Sequence, residues 1–74
     1  MNKTYHFEIP LHAGNKMVLA RSKEFDTIEE CVEACKKSCK EHDVDYNDRK
    51  VKLFLTDDFG ETYEECTEEG ELAG

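Results

Sequence analysis

Cysteine, histidine and carboxylate are the side chains here whose types and spacing could do chemistry. Cys31, Cys35 and Cys39 recur every four residues, and Cys66 stands apart. A spacing of i, i+4, i+8 places the first three on one face of a helix, beside Ile28 and Val32, which is the stripe of a helix turned inward. Buried there, they act as small hydrophobes. Two other chemistries stay open. Cys66 can bridge one helical cysteine, although cysteines four apart on a helix are badly placed to bridge each other. Alternatively, Cys35, Cys39 and His42 at i, i+4, i+7 can ligate a metal with Cys66 as fourth ligand, although the paired C-x₂₋₄-C knuckles of zinc sites are absent. There is no Cys-x-x-Cys redox pair. A Cys–His nucleophile pair such as Cys39 with His42 is conceivable, but nothing supplies an orienting third group or an oxyanion hole. His6 falls on the polar side of a strand, and His12 falls in a loop. The expectation is a protein with no catalytic residue, no metal and no cofactor.

The carboxylates are more informative. Residues 1–52 contain ten acids and ten bases, whereas residues 53–74 contain eight acids and no base. The entire net charge of −8 therefore belongs to the last 22 residues. An even spread of acid would serve solubility; one this lopsided implies a face or a tail. Phosphates would be repelled, so nucleic acid is excluded as a direct ligand. A protein with a basic surface is the expected partner.

These residues need elements to position them. Tyr5, Phe7 and Ile9 alternate with Thr4, His6 and Glu8, the period of a half-buried strand. Pro10 is expected to end it, with a hairpin through Gly14-Asn15. Met17 to Arg21 reads as a second strand, apolar enough to sit away from a sheet edge. Thr27 followed by Glu30 forms a capping box, acids crowd the first turns and lysines the last, and a helix follows over about 27–42. Val51, Leu53 and Leu55 mark a third strand. Asp57-Asp58-Phe59-Gly60 is a turn, and a fourth strand runs near 61–66. With residues 56 and 61 opposed, Phe54 meets Tyr63, Lys52 meets Glu65, and Val51 meets Cys66. The fold class is thus α+β: a two-layer ββαββ domain over 1–66, one helix on an antiparallel sheet, with a loose acidic tail at 67–74.

Seventy-four residues allow one small domain. No apolar run is long enough to span a membrane, and the first residues lack the charged and apolar regions of a signal peptide, which points to the cytoplasm. On this frame, Glu61 and Glu65, with Asp57 and Asp58 at the turn, form a ridge of carboxylates beside Phe54 and Tyr63, and Glu64 is expected to add charge for the partner. Such a ridge attracts the Lys/Arg grooves that normally hold phosphates. In size, acidity and charge asymmetry the chain resembles the small acidic inhibitors that phages encode, anti-CRISPR proteins among them. That resemblance implies a compact α+β unit that blocks a nuclease or surveillance complex by nucleic-acid mimicry, in host cytoplasm. The stretch Phe25-Asp26-Thr27-Ile28-Glu29-Glu30-Cys31 after a strand is similar to the strand-to-helix passage of HicB-type antitoxins. It implies an alternative: an antitoxin-like or structural interaction module that binds through an apolar sheet face or edge strand.

Overall fold

The computed structural model describes residues 3–57, 60 and 62–73. The elements follow in the order β1 (Thr4–Ala13), β2 (Lys16–Arg21), α1 (Ile28–Glu41), β3 (Lys52–Thr56) and β4 (Tyr63–Cys66). All strands pair antiparallel in the spatial order β2-β1-β3-β4, and α1 covers one face. The expected two-layer ββαββ arrangement is the one observed.

α1 is started by Thr27, whose extended backbone carries a hydroxyl that accepts from the Glu30 N–H at 3.2 Å. Glu30 answers differently from an ideal capping box: its carboxylate accepts a hydrogen bond from the Thr27 hydroxyl. The helix stops at His42. Asp43 then turns left-handed at φ 56°, so the Val44 N–H reaches the Cys39 carbonyl at 2.8 Å and satisfies a terminal acceptor. Between these caps Ile28, Cys31, Cys35 and Cys39 face inward, as their spacing requires. They meet Phe7 and Ile9 of β1, Leu53 of β3 and Cys66 of β4 in a single core. Burial pushes the Cys31 thiol up to about 12, with Cys66 alongside adding to it, and it raises Cys35, Cys39 and Cys66 as well. The thiols are therefore protonated at neutral pH and serve as packing groups.

Three expectations need correction. β1 does not end at Pro10 but runs on to Ala13. Tyr5 exchanges backbone hydrogen bonds with Phe25, and Phe7 accepts from the Ser22 N–H and donates to the Ser22 hydroxyl, all on the β2 side, so the alternate residues turn toward β3. Pairing with β3 stops at Glu8 opposite Lys52, which leaves no acceptor at Pro10 for a missing N–H. β2 is not an inner strand but an edge, and apart from half-buried Ala20 it is exposed. The β3–β4 register is shifted by two residues, with Thr56 opposite Tyr63, Phe54 opposite Glu65, and Leu53 rather than Val51 opposite Cys66. A shift of two keeps every side chain on its expected face. Phe54 and Tyr63 still touch diagonally at 5.1 Å between centroids, and Lys52 still reaches Glu65 at 3.7 Å.

The segment expected to trail as a tail folds back instead. Thr67 accepts from the Glu69 and Glu71 N–H groups through its hydroxyl, and its own N–H donates to the Glu71 carbonyl at 2.7 Å. Leu72 then bridges Cys66, and the Ala73 N–H donates to the Glu65 carbonyl, capping the outer edge of β4. Gly70 makes this possible: its φ is +83°, and a Cβ there would sit 3.3 Å from Ile28 Cβ. Among the described residues, no helix is long and apolar enough to cross a membrane.

Two substitutions test this packing by urea titration. Cys35→Ser places a hydroxyl in a fully buried site and should cost roughly 1–3 kcal/mol, more than Cys35→Ala. Gly70→Ala forces a left-handed alanine against Ile28 and should cost about 1–2 kcal/mol; it should also render the 67–73 turn sensitive to protease before the domain itself unfolds.

Candidate functional site

The face of the sheet away from α1 is uncovered by any described element, and the period of two decides what it shows. β1 contributes Thr4, His6 and Glu8, β2 contributes Met17, Leu19 and Arg21, β3 contributes Lys52, Phe54 and Thr56, and β4 contributes Tyr63 and Glu65. Three rings gather at its centre. His6 stacks on Phe54 at 5.0 Å and meets the edge of Tyr63 at 5.1 Å. Arg21 extends over the Tyr63 ring, 5.2 Å from its centroid, and is held by Glu24 at 3.6 Å. Glu24 in turn accepts the Thr4 hydroxyl proton.

This lid buries His6 completely, at 0% exposure. Its side chain does fall on the face opposite the helix, as the alternation predicts, yet it belongs to a second small core that no spacing rule reveals. Neither ring nitrogen has a hydrogen-bond partner, and Glu8 stands 4.0 Å from Nε2, beyond hydrogen-bond reach. The neighbouring Thr56 hydroxyl is also buried without a partner. Burial, helped by the Arg21 cation, holds His6 below its ordinary value of 6.5 against the opposing pull of Glu8 and Glu24.

Of the carboxylates expected to form the ridge, Asp57 and Glu65 lie within the described residues. Glu65 lies on the open face and is paired with Lys52. Glu64, one residue earlier, points to the opposite face across from Leu55. Asp57 is held in the turn, where it accepts the Thr62 hydroxyl at 2.8 Å. Asp58 and Glu61 lie outside the described residues. The structure thus brings together Phe54, Tyr63 and Glu65 and sends Glu64 elsewhere. Tyr63 is 47% exposed, but Phe54 is half-buried under its neighbours.

Another set of carboxylates is displayed on a held support. Glu68, Glu69 and Glu71 stand exposed on the 67–71 turn, with exposed Glu64 on the strand before it, and among the described residues none of the four enters an ion pair. The turn is closed on itself by Thr67, tied to β4 through Leu72 and Ala73, and packed through Gly70 on Ile28 at the start of α1. Beside it opens a groove of about 530 Å³ that mixes Arg49 and Lys52 with Asp48, Glu65, Glu68 and Glu69. Among the described residues, no three His, Cys, Asp or Glu side chains converge as a metal ion requires. All four cysteines are free and buried.

Compared with known proteins, the chain matches no family model, no curated protein and no solved structure.

His6 should make the fold sensitive to mild acid. Its folded value is depressed, so the unfolded chain takes up a proton first; the stabilisation is complete above pH 6.5 and declines as pH falls below it. The melting temperature should drop between about pH 7.5 and 5.5 more steeply for the native chain than for His6→Phe, which keeps a ring on Phe54 and removes the titration. Parallel curves for the two proteins would show that His6 does not carry the effect.

Proposed function

We propose that this is a small, acidic, non-enzymatic binding protein that occupies a basic, nucleic-acid-binding site on a partner protein, an inhibitor of the anti-CRISPR-like kind. The observation that supports this reading is the placement of the unpaired charge. The last 22 residues carry all of the net −8; Glu68, Glu69 and Glu71 are presented on a turn pinned to the core, and Glu64 on β4 before it. Carboxylates on a firm support need little ordering on binding, so their attraction to a Lys/Arg groove is not spent on fixing the chain. The charged face proposed is therefore the C-terminal turn and β4, in place of the ridge along the β3–β4 hairpin. Mimicry of this kind displaces nucleic acid stoichiometrically and requires no chemistry from the inhibitor.

A second reading rests on a different observation. Met17, Val18 and Leu19 are 39%, 53% and 53% exposed on the edge strand β2. Such an edge favours an interaction module, antitoxin-like or structural, that binds by strand addition.

Displacement of a fluorescent oligonucleotide from purified basic nucleic-acid-binding proteins separates the two. The acidic reading expects displacement that weakens at least tenfold from about 50 to about 200 mM salt. It also expects displacement to be lost in the triple variant Glu68→Lys, Glu69→Lys, Glu71→Lys while circular dichroism is unchanged. Displacement that ignores both salt and charge reversal would overturn it in favour of the apolar edge.

A further inference from the structure

The two edges of the sheet are treated oppositely. β4 is closed on its outer side by Leu72 and Ala73, with the Ala73 N–H donating to the Glu65 carbonyl at 3.0 Å. Among the described residues, β2 has no second neighbour. The Ser22 N–H points to Phe7 of β1, so the even-numbered residues of β2 turn inward and Met17, Leu19 and Arg21 turn their N–H and C=O groups outward. An exposed strand of six residues with a Met-Val-Leu centre and no inward charge or bulge within it is the template that edges normally avoid presenting. Natural edges are blunted by charge or proline; this one carries its charges only at its ends, on Lys16 and Arg21.

We infer that β2 pairs antiparallel with β2 of a second copy of this chain, joining two four-stranded sheets into one of eight strands about a two-fold axis through Val18. Three observations select this occupant. First, the register is self-complementary: Val18 faces Val18 of the second copy, the outward groups of Met17 meet those of Leu19, and Lys16 and Arg21 fall opposite Ala20 and Asn15. No cation opposes a cation. Second, the capped β4 removes the head-to-tail alternative, so the assembly closes at two copies and does not grow into a fibre. Third, the charge is distributed to permit it. Residues 1–52, which contain β2, sum to zero, and the −8 belongs to the chain beyond them. Pairing through β2 sets the two acidic edges seven strand spacings apart, about 34 Å, several times the screening length of about 8 Å at physiological salt. The dimer presents an acidic edge at each end, and on its open face Met17 and Leu19 of both copies form one apolar strip.

Sedimentation of the full chain over a concentration series tests the pairing. The mass should rise from that of one chain to that of two between low micromolar and millimolar protein, and go no further. Leu19→Pro removes one outward N–H on the side that faces solvent in the monomer, and Val18→Lys sets two ammonium groups against each other on the axis; each should hold the protein monomeric with its helix and sheet signals intact. Val18→Cys should form a disulfide-linked dimer when air and copper phenanthroline accept the two electrons, because directly opposed residues of a non-hydrogen-bonded pair lie within disulfide reach. Met17→Cys, whose opposite number is Leu19, should not. Three results would each overturn the inference: a native chain monomeric throughout the series, a dimer indifferent to both blocking variants, or masses that climb beyond two.

Discussion

Everything in this protein depends on one inward stripe of small side chains meeting a narrow strip of sheet. Ile28, Cys31, Cys35 and Cys39 are the buried residues of α1, and they rest on Phe7, Ile9, Leu53 and Cys66. Half of that core is thiol. Sulfur is polarisable and compact, so the helix approaches the sheet closely enough for a short chain to bury a continuous apolar layer. The same burial keeps the thiols protonated, which separates their packing role from reactivity. A domain with so little core has few other sources of stability, and this one extends the helix layer with its C-terminal turn. Gly70 brings that turn onto Ile28 and Tyr5, so the acidic end of the chain is also part of the cover of the core.

The opposite face solves a related problem with different residues. A sheet covered on one side leaves its other side to water, and here the centre of that side is dried by three rings and an arginine. The cluster gains ring contacts worth roughly 0.5–1.5 kcal/mol per pair and carries the cost of two buried groups, His6 and Thr56, that find no partner. Lys52 with Glu65 and Arg21 with Glu24 frame it, each ion pair at least two-fifths exposed and thus a modest contributor. The open face is accordingly a packed surface with mixed charge, while the unpaired carboxylates collect at the C-terminal end of the sheet.

Charge and edge together give the molecule a direction. From β2 to β4 the sheet passes from an apolar, basic-ended edge to an acidic one. Surplus charge of one sign restrains association wherever it is concentrated, and leaving β2 outside that region makes it the natural side for strand pairing.

Periodicity alone determined the elements, their order and the face each residue occupies. The spacing of four among the cysteines, the alternation in Tyr5-Phe7-Ile9 and Leu53-Leu55, and the Thr27 cap are local signals, and local signals survive folding because they are set by backbone geometry. The slip of two residues between β3 and β4 is the kind of error such reasoning makes: parity is encoded in every residue, whereas partner choice is settled by a turn. What only the tertiary structure decided was neighbourhood across strands. That Pro10 could stay within β1 depended on where β3 stops. That His6 is sealed depended on Phe54, Tyr63 and Arg21 arriving from three other strands. That residues 67–73 fold back depended on a tight space beside Ile28 that a glycine in a left-handed turn enters without strain. These are contacts between segments distant in the chain, and their energies depend on a geometry that exists only once the sheet and helix have met.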